Sequence, residues 1–342
     1  NKEMTRKPAM PIDKPILVTG ATGFIGSHLA ERLISQGKSV RLLVRNPQHL
    51  DIPLRMSTQL CTGNLERPET LHTAVKDVDI VFHCAANVST WDQPENYEKT
   101  NVEGLGHLLN AIADSGTLPR RFVHLSTVDV YGFPVNPCDE SCPPRAPGFG
   151  YGNSKLRGEA VLRDRALAMA LPFVILRPTN VMGPRSPFIE RIGHEIRSGL
   201  MLTIHQGKVD AGFLYVDNLV DNMLWAADAP QAVGETFNVN DPAQITWQRF
   251  LQDFRHGIHG KGWTIDLPYG MANAAASVIE APYRWLGSRQ EPLLHRLLVR
   301  LFGRSCGHSA AKLAAAGAPV GKVGYDQAMT QSIDWYLRNF CP

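Results

Sequence analysis

A tyrosine and a lysine stand four residues apart in the run YGNSK at 151–155, and a hydroxyl residue, Thr127, precedes Tyr151 by 24 residues. On a helix this spacing places Tyr151 and Lys155 on one face. A phenol has an ordinary pKa near 10, and a neighbouring cation lowers that pKa by favouring the phenolate. The three residues predict proton exchange with a ketone or alcohol: Tyr151 as acid or base, Lys155 as its tuning cation, and Thr127 orienting the substrate oxygen.

Three glycines, Gly20, Gly23 and Gly26, form a GxxGxxG turn directly after the apolar run 16–18 and at the start of a helical pattern. A dinucleotide site needs glycines at such a turn, because the backbone must approach the pyrophosphate and the helix must pack close to the strand. Free N–H groups at the helix start attract the phosphates. The turn therefore predicts a bound dinucleotide.

Arg45 directly follows the next β-like run, 40–44, and no acidic residue occurs between it and Asp51. A carboxylate at this position accepts a hydrogen bond from a ribose 2′-hydroxyl, whereas a guanidinium pairs with a 2′-phosphate. The residue favours NADP(H), with NAD(H) as the alternative cofactor. A solvated surface charge is the other interpretation of Arg45.

The elements that must hold these residues alternate between short β-branched runs and helical patterns, as in βαβ units. The predicted fold class is α/β, a doubly wound parallel Rossmann sheet with a smaller, mostly helical C-terminal substrate cap. The predicted divisions are a flexible leader at 1–14, a dinucleotide-binding core at 15–180, and a cap at 181–342 with segments returning to the core around 210–240. Predicted strands are 16–18, 40–44, 80–82, 121–125 and 173–176, and predicted helices are 25–36, 69–75, 97–113, 151–168, 188–198, 218–227, 247–254, 271–286, 292–302 and 327–339.

The bulk composition bounds the class of protein. The 342 residues carry a formal net charge of only +3, with scattered basic residues, so nucleic acid is not an expected partner and a small-molecule substrate is. The six cysteines form no CxxC pair, and no signal-like or membrane-spanning apolar stretch occurs, which favours a cytoplasmic protein. The histidines 256 and 259 have no third ligand at metal spacing, so no metal site is expected.

Several motifs together resemble the extended short-chain dehydrogenase/reductase family over roughly residues 15–240. They are TGATGFIG at 19–26, HCAA at 83–86, NVEG at 101–104, LST at 125–127, VYG at 130–132, YGNSK at 151–155 and RPTNVMGP at 177–184. The resemblance implies a Rossmann core and a catalytic set in which Thr127, rather than Ser126, is the hydroxyl member. It also implies a homodimer, in which two helices of each subunit form a four-helix interface.

The turn, Arg45 and these motifs predict a set of cofactor-binding residues. Asn64 stands where the family usually carries an aspartate near the adenine, and Asn101 has an equal alternative as a structural amide that ties a helix to a strand. The set is Gly20, Thr22, Gly23, Phe24, Ile25, Gly26, Arg45, Asn64, Leu65, Ala85, Ala86, Asn101, Tyr151, Lys155, Pro178, Thr179 and Val181.

Within the family, the sugar-nucleotide dehydratases carry an acid pair where this chain has Val128 and Asp129. The loss of the acid at Val128 disfavours dehydration, with substitution by Asp129 as the alternative. The stretch 86–92 and the tail motifs at 267–269, 324–328 and 334–336 are most similar to the 3β-hydroxysteroid dehydrogenase branch. Because steroid members generally carry an acidic residue at the position of Arg45, the sequence favours a reductase of a bulky, apolar ketone. The alternatives are a sugar-nucleotide epimerase, which retains NAD, and a non-catalytic dinucleotide sensor, which would be expected to lack Tyr151 or Lys155.

Two features concern the substrate side. The aromatic and sulfur side chains that could line the pocket are Trp91, Phe133, Phe149, Met182 and Phe188, with ordinary packing as the alternative. The basic amphipathic segment 293–302 predicts a cap helix over an apolar pocket, with membrane contact as its alternative.

Overall fold

A computed structural model describes residues 14–148 and 150–341; the predicted leader lies mostly, and Phe149 wholly, outside the described residues. Its strands are β1 (Ile16–Thr19), β2 (Val40–Val44), β3 (Gln59–Thr62), β4 (Ile80–His83), β5 (Arg121–Leu125), β6 (Phe173–Pro178), β7 (Asn180–Met182), β8 (Leu200–Ile204), β9 (Phe213–Tyr215), β10 (Thr236–Val239) and β11 (Trp263–Leu267). Its α-helices are α1 (Phe24–Ser35), α2 (Ile52–Met56), α3 (His72–Val75), α4 (Pro94–Tyr97), α5 (Gly104–Asp114), α6 (Gly150–Met169), α7 (Pro187–Ser198), α8 (Val216–Asp228), α9 (Trp247–Gly257), α10 (Tyr269–Trp285), α11 (Arg296–Gly303), α12 (Ala311–Ala315) and α13 (Tyr325–Phe340).

Seven strands form one parallel sheet in the order β10-β6-β5-β4-β1-β2-β3. β1, β4 and β5 are buried along their whole length, as expected for apolar, β-branched strands with helices on both faces. Side chains of α1 and α8 pack in one core cluster on one face. Side chains of α5 and α6 pack in a second cluster on the other. The predicted Rossmann fold with a helical C-terminal region is confirmed.

Two strands of this sheet, β3 and β10, were not predicted. β3 is an edge strand whose residues are half-buried or exposed, so its run lacks a continuous apolar signal. β10 pairs with β6 although more than fifty residues separate them in the chain. Its burial depends on that distant partner and not on a local pattern.

Three predicted helices differ in detail. The predicted helix 69–75 is a 3-10 turn, Pro68–Thr70, followed by the short helix α3. The predicted helix 97–113 is α4, a π-helical segment Glu98–Glu103 and α5 in succession. The predicted helix 292–302 begins only at Arg296, where the buried carboxylate of Glu280 in α10 accepts hydrogen bonds from the Arg296 backbone N–H (2.9 Å) and from its Nε (2.7 Å). A cap supplied by another helix leaves no signal at the helix start itself.

The C-terminal residues build two further clusters. Trp247, Phe250 and Phe254 of α9 pack with Tyr336 of α13 around the paired strands β7 and β9. The paired strands β8 and β11 carry a smaller cluster with α10 and α11. In the described part of the chain, no helix is both long and apolar enough to cross a membrane.

Candidate active site

The glycine turn joins the end of β1 to the start of α1. Gly20 has a φ of +77°, and a Cβ there would lie 2.7 Å from the backbone N of Ala85, while a Cβ at Gly26 would lie 2.3 Å from the Gly20 carbonyl oxygen. Only glycine fits such approaches. The first turn of α1 has neither a side-chain cap nor an acidic residue. Its N–H groups are therefore available to an anion.

Hydrogen bonds hold the turn against the loop after β4. The Thr19 hydroxyl is 2.9 Å from Nδ1 of the buried His83 and accepts a hydrogen bond from the Ala85 N–H (3.2 Å). The ends of the two adjacent strands are thus fixed side by side. They form the floor of a cavity at the carboxyl edge of the sheet.

That cavity has a volume of about 630 Å³, within the range of small-molecule sites. Its walls come from the turn after β1, the ends of β2 and β3, the loop after β4 and the π-helical segment. Eight predicted cofactor residues line it: Gly20, Thr22, Gly23, Arg45, Asn64, Leu65, Ala85 and Ala86. The glycine cradle and the uncapped helix start fit a dinucleotide.

The other nine predicted cofactor residues do not line this cavity: Phe24, Ile25, Gly26, Asn101, Tyr151, Lys155, Pro178, Thr179 and Val181. Phe24, Ile25 and Gly26 form the first turn of α1. Pro178, Thr179 and Val181 follow the sheet edge at β6 and β7, and the Thr179 hydroxyl is hydrogen-bonded to the Val239 carbonyl (3.2 Å) and to Asn240 (3.0 Å). Their role toward a cofactor stays a prediction.

Asn101 is buried in the π-helical segment, and its side chain is engaged by the protein. Its amide nitrogen donates to the Asn87 carbonyl (3.0 Å) and to the Ser154 hydroxyl (2.9 Å), and its oxygen accepts from the Asn87 N–H (2.7 Å). It ties the loop after β4 to α6. This geometry supports the structural-amide interpretation.

Sequence reasoning missed Lys99 and Thr100, which also line the cavity. The Thr100 hydroxyl donates to the Glu66 carboxylate across the wall (3.2 Å). Lys99 places a second cation beside Arg45 in the lining. A helical repeat of 3.6 residues misplaces side chains in a π-helical turn, so the pattern could not assign these residues to the cavity.

The proposed proton-transfer residues lie at the neighbouring strand end. Thr127 follows β5, and its hydroxyl accepts from the Asp129 N–H (3.2 Å). Lys155 is buried in α6, and its ammonium donates to the Leu125 carbonyl. The Ser126 hydroxyl donates to the buried Glu159 carboxylate (2.5 Å) and is thereby occupied. The Thr127 hydroxyl is hydrogen-bonded to the side chains of Asp129 and Tyr151, and its role toward a substrate stays a prediction.

Burial dominates the ionisation of this group. It raises the pKa of Tyr151, the charge of Asp129 raises that pKa further, and the Thr127 hydroxyl opposes the rise. The phenol pKa of Tyr151 therefore lies above its ordinary value here, and its lowering by Lys155 together with a bound nicotinamide stays a prediction. Burial also lowers the pKa of Lys155 to about 8, against the opposing charge of Glu159. Asp129, buried as well, has its pKa raised to about 6.

A buried ion pair, Glu159–Arg177, lies next to Lys155 and Ser126. The guanidinium of Arg177 donates through Nε (2.9 Å) and a terminal nitrogen (2.7 Å) to the two oxygens of Glu159, one turn beyond Lys155 on α6. Arg177 also donates to the Tyr131 hydroxyl (2.9 Å), which donates to Asn238 of β10 (2.8 Å). The network fixes α6 against β6 and β10.

An apolar cluster begins six residues after Thr127 in the chain, at Phe133. Phe133 packs with Leu297 and Leu301 of α11. Trp91 is buried under the Arg284 guanidinium of α10, 3.7 Å from its ring centre. Of the other predicted lining residues, Met182 is buried, and Phe188 packs in the C-terminal aromatic cluster.

No group of three or more potential metal-ligating histidine, cysteine, aspartate or glutamate side chains occurs within residues 14–148 and 150–341. The glycine cradle and the predicted catalytic residues Thr127, Tyr151 and Lys155 lie near neighbouring strand ends of the Rossmann sheet. Fold and site define a dinucleotide-dependent enzyme of the extended short-chain dehydrogenase/reductase type, as the sequence motifs predict.

Comparison with known families gives the particular assignment. Residues 16–240 match the NAD dependent epimerase/dehydratase family, and the chain belongs to it. The predicted extended short-chain dehydrogenase/reductase membership is confirmed.

Two relatives and one solved structure illustrate the range of the family. The chain is 29% identical to a 4-hydroxy-2-methyl-3-oxo-4-farnesyl-3,4-dihydroquinoline-1-oxide ketoreductase of Stigmatella aurantiaca, over 91% of this chain and 93% of that protein. It is 28% identical to a 2-alkyl-3-oxoalkanoate reductase of Shewanella oneidensis, over 86% and 80% of the two. A UDP-glucuronic acid 4-epimerase from Bacillus cereus, in complex with UDP-glucuronic acid and NAD, has the same fold, with a TM-score of 0.74, 21% identity, and coverage of 95% and 99%.

Proposed function

We propose that the protein is an NADP(H)-dependent oxidoreductase that interconverts a ketone and a secondary alcohol on a bulky, apolar substrate. The observation that carries the proposal is the apolar cluster of Phe133, Leu297 and Leu301, which begins six residues after Thr127 in the chain. A purified protein that turns over no ketone with NADPH or NADH above the level of Tyr151→Phe would contradict it.

The residues divide the chemistry among them. When bound, a nicotinamide supplies the hydride to the carbonyl carbon. Tyr151 donates the proton to the carbonyl oxygen, which Thr127 orients through its hydroxyl. Lys155 would hold the nicotinamide ribose, and its charge favours the tyrosinate that remains. The reverse assignment of acid and base describes alcohol oxidation.

The two reductases among the relatives support the substrate class. Each is named for a keto compound that carries a farnesyl or alkyl group. We expect kcat/KM to rise with alkyl length in a series of 2-alkyl-3-oxo acids and their esters. The deciding readout is the decrease in NADPH absorbance as NADPH is oxidised, with the product identified by mass spectrometry.

Replacement of Arg45 by aspartate is expected to reverse the cofactor preference. Arg45 is exposed and lines the cavity at the end of β2. A charge-assisted hydrogen bond to a phosphate contributes about 1.5–3 kcal/mol, so the ratio of kcat/KM for NADPH over NADH should fall by about 10- to 100-fold. Arg55→Asp makes the same charge change on the exposed face of α2 and should leave the ratio unchanged. An unaltered ratio in Arg45→Asp would remove the argument for NADP(H).

The pH profile should show the ionisation of Lys155. Its pKa, lowered to about 8, means that the ammonium is present below pH 8 and is lost above it. The kcat/KM for cofactor should therefore be level from about pH 6 to 7 and fall by about tenfold per pH unit well above 8. Lys155→Arg keeps its charge throughout this range, so its residual activity should lack that falling limb. A wild-type profile that stays level to about pH 10 would contradict the role of the ammonium.

A sugar-nucleotide epimerase is the second candidate, supported by the family name and by the fold shared with a UDP-sugar epimerase. An epimerase returns the hydride to its own substrate and keeps NAD bound. Mass spectrometry of the small molecules released on denaturation separates the two: stoichiometric NAD together with turnover of UDP-sugars without added cofactor favours the epimerase. Release of NADP(H), or turnover that needs added NADPH, favours the reductase.

A further inference from the structure

The outward face of α10 is apolar along its length. Met271, Ala274, Val278, Pro282 and Trp285 recur at intervals of three or four residues, and all are exposed, Val278 by 74% and Trp285 by 87%. A helix on the surface of a globular protein normally presents polar side chains to water. We call these five residues the α10 stripe. It is an unpartnered apolar surface on a helix whose other face is packed.

Other exposed apolar residues lie before and after α10 in the sequence. Leu286 follows α10, and Leu293 precedes α11. On β11, Trp263 is exposed and pairs in register with the exposed Leu200 of β8. The five residues of the α10 stripe share one helix face, and such a continuous apolar surface marks an interaction site, whereas single exposed apolar residues do not.

The charge around the stripe is one-sided. Residues 269–304 contain five arginines and two glutamates, and so carry a net charge of +3, equal to the formal net charge of the whole chain. Both glutamates are already paired: the buried Glu280 with Arg296, and Glu291 with His295 and Arg191. Arg289 is exposed close behind α10 in the chain, where it interacts electrostatically with Asp92. The rim of this surface therefore attracts anions.

We propose that the α10 stripe lies in the plane of an anionic lipid bilayer and docks the protein on that surface. An in-plane helix contacts a membrane through tryptophan and aliphatic side chains, flanked by basic residues that meet anionic headgroups. The tryptophans at 263 and 285 are of the type enriched at the membrane interface. A second copy of the chain fits less well, because a twofold contact of two such faces would bring arginine against arginine.

The same helix pair connects this surface to the proposed substrate site. α10 is tied to α11 by the Glu280–Arg296 pair, and α11 packs on Phe133 through Leu297 and Leu301. A bilayer would present an apolar ketone next to this cover. This step, and not the docking itself, rests on the proposed function.

Vesicle flotation of the full-length protein tests the docking. We expect binding to vesicles of phosphatidylcholine mixed with phosphatidylglycerol, weaker binding to phosphatidylcholine alone, and release by salt. The double variant Val278→Asp/Trp285→Asp should lose at least about tenfold in partition. Arg289→Glu should lose about fivefold or more on anionic vesicles only. Leu167→Asp, which changes an 85% exposed leucine on α6, is the matched control and should bind like the wild type.

Three results would overturn the docking: no wild-type binding to anionic vesicles at low salt, binding that survives the double variant, or sedimentation showing that the stripe mediates self-association in place of vesicle binding. Circular dichroism and NADPH-dependent turnover of a water-soluble ketone should be unchanged in the double variant. Vesicle binding without turnover of any ketone would leave the docking intact and count against the proposed function alone. Turnover without vesicle binding would do the opposite.

Discussion

Tyr151→Phe is expected to lower kcat by about 10²- to 10⁴-fold, the range that a positioned general acid contributes. The hydroxyl is the only group lost, and the ring keeps its packing at the start of α6. The KM for NADPH should change by less than about threefold, because a residue that acts in the transition state lowers kcat without weakening ground-state binding. Stopped-flow or steady-state kinetics on the same ketone measure both.

Tyr131→Phe is the matched control for this prediction. Tyr131 lies close to Thr127 in the chain, but its hydroxyl is used by Arg177 and Asn238 in the buried network. Its loss should reduce stability by about 1 kcal/mol and kcat by only a few-fold. If Tyr131→Phe lost as much activity as Tyr151→Phe, the activity loss of Tyr151→Phe would reflect damage to the structure and not the loss of a general acid.

The second large effect is expected from Glu159→Gln. Glu159 and Arg177 have side chains that are only 4% and 5% exposed, and the variant leaves the guanidinium buried without its counter-charge. Breaking a buried pair from one side costs about 3–5 kcal/mol. With an unfolding entropy of about 2.1 cal/mol/K per residue, the Tm of this chain should fall by about 4–7 °C. Differential scanning calorimetry measures the shift.

Two further variants serve as controls for the decrease in Tm of Glu159→Gln. Glu98→Gln removes an ion pair with the exposed Arg157 and should cost less than about 1 kcal/mol. Glu159→Leu/Arg177→Met removes both charges and should recover much of the lost stability. Equal Tm values for Glu159→Gln and Glu98→Gln would show that the buried pair has no special weight.

Glu159→Gln should also alter the pH profile. The charge of Glu159 supports the ammonium of Lys155 and opposes the lowering of its pKa by burial. Without it, the falling limb of kcat/KM should begin below pH 8. This shift separates an electrostatic contribution from a loss of folded protein, because unfolding would lower the amplitude without moving the limb.

The sequence predicted the parts of the site that depend on local pattern. The GxxGxxG turn, Arg45 at the end of β2 and the YGNSK run all depend on residues close in the chain, and the parallel sheet brings the strand ends to one edge. The rest depends on distant contacts. Glu159 and Arg177 look like ordinary surface charges in the sequence, and only the packing of α6 on β6 buries them.

The α10 stripe is a second case in which the sequence does not show which residues are buried. Its periodicity predicts a helix correctly, yet periodicity cannot distinguish an apolar face that packs from one that stays exposed. The basic amphipathic pattern at 293–302 predicts a cap helix with membrane contact as its alternative; α11 is largely covered, whereas α10 carries the exposed apolar surface. The inner face of α10 is covered by α11, which the buried Glu280 of α10 holds through its hydrogen bonds to Arg296.

The position of β10 in the sheet has a consequence for how the protein is made. β6 ends at Pro178, but its outer edge is covered only by β10 at residues 236–239, and helix α8 adds Leu219 and Met223 to the core beneath it. During synthesis, a nascent chain that has released β6 still lacks both partners. Its open strand edge and apolar face stay exposed until β7 through β10 have been synthesised, and exposed edges and apolar faces of this kind favour aggregation.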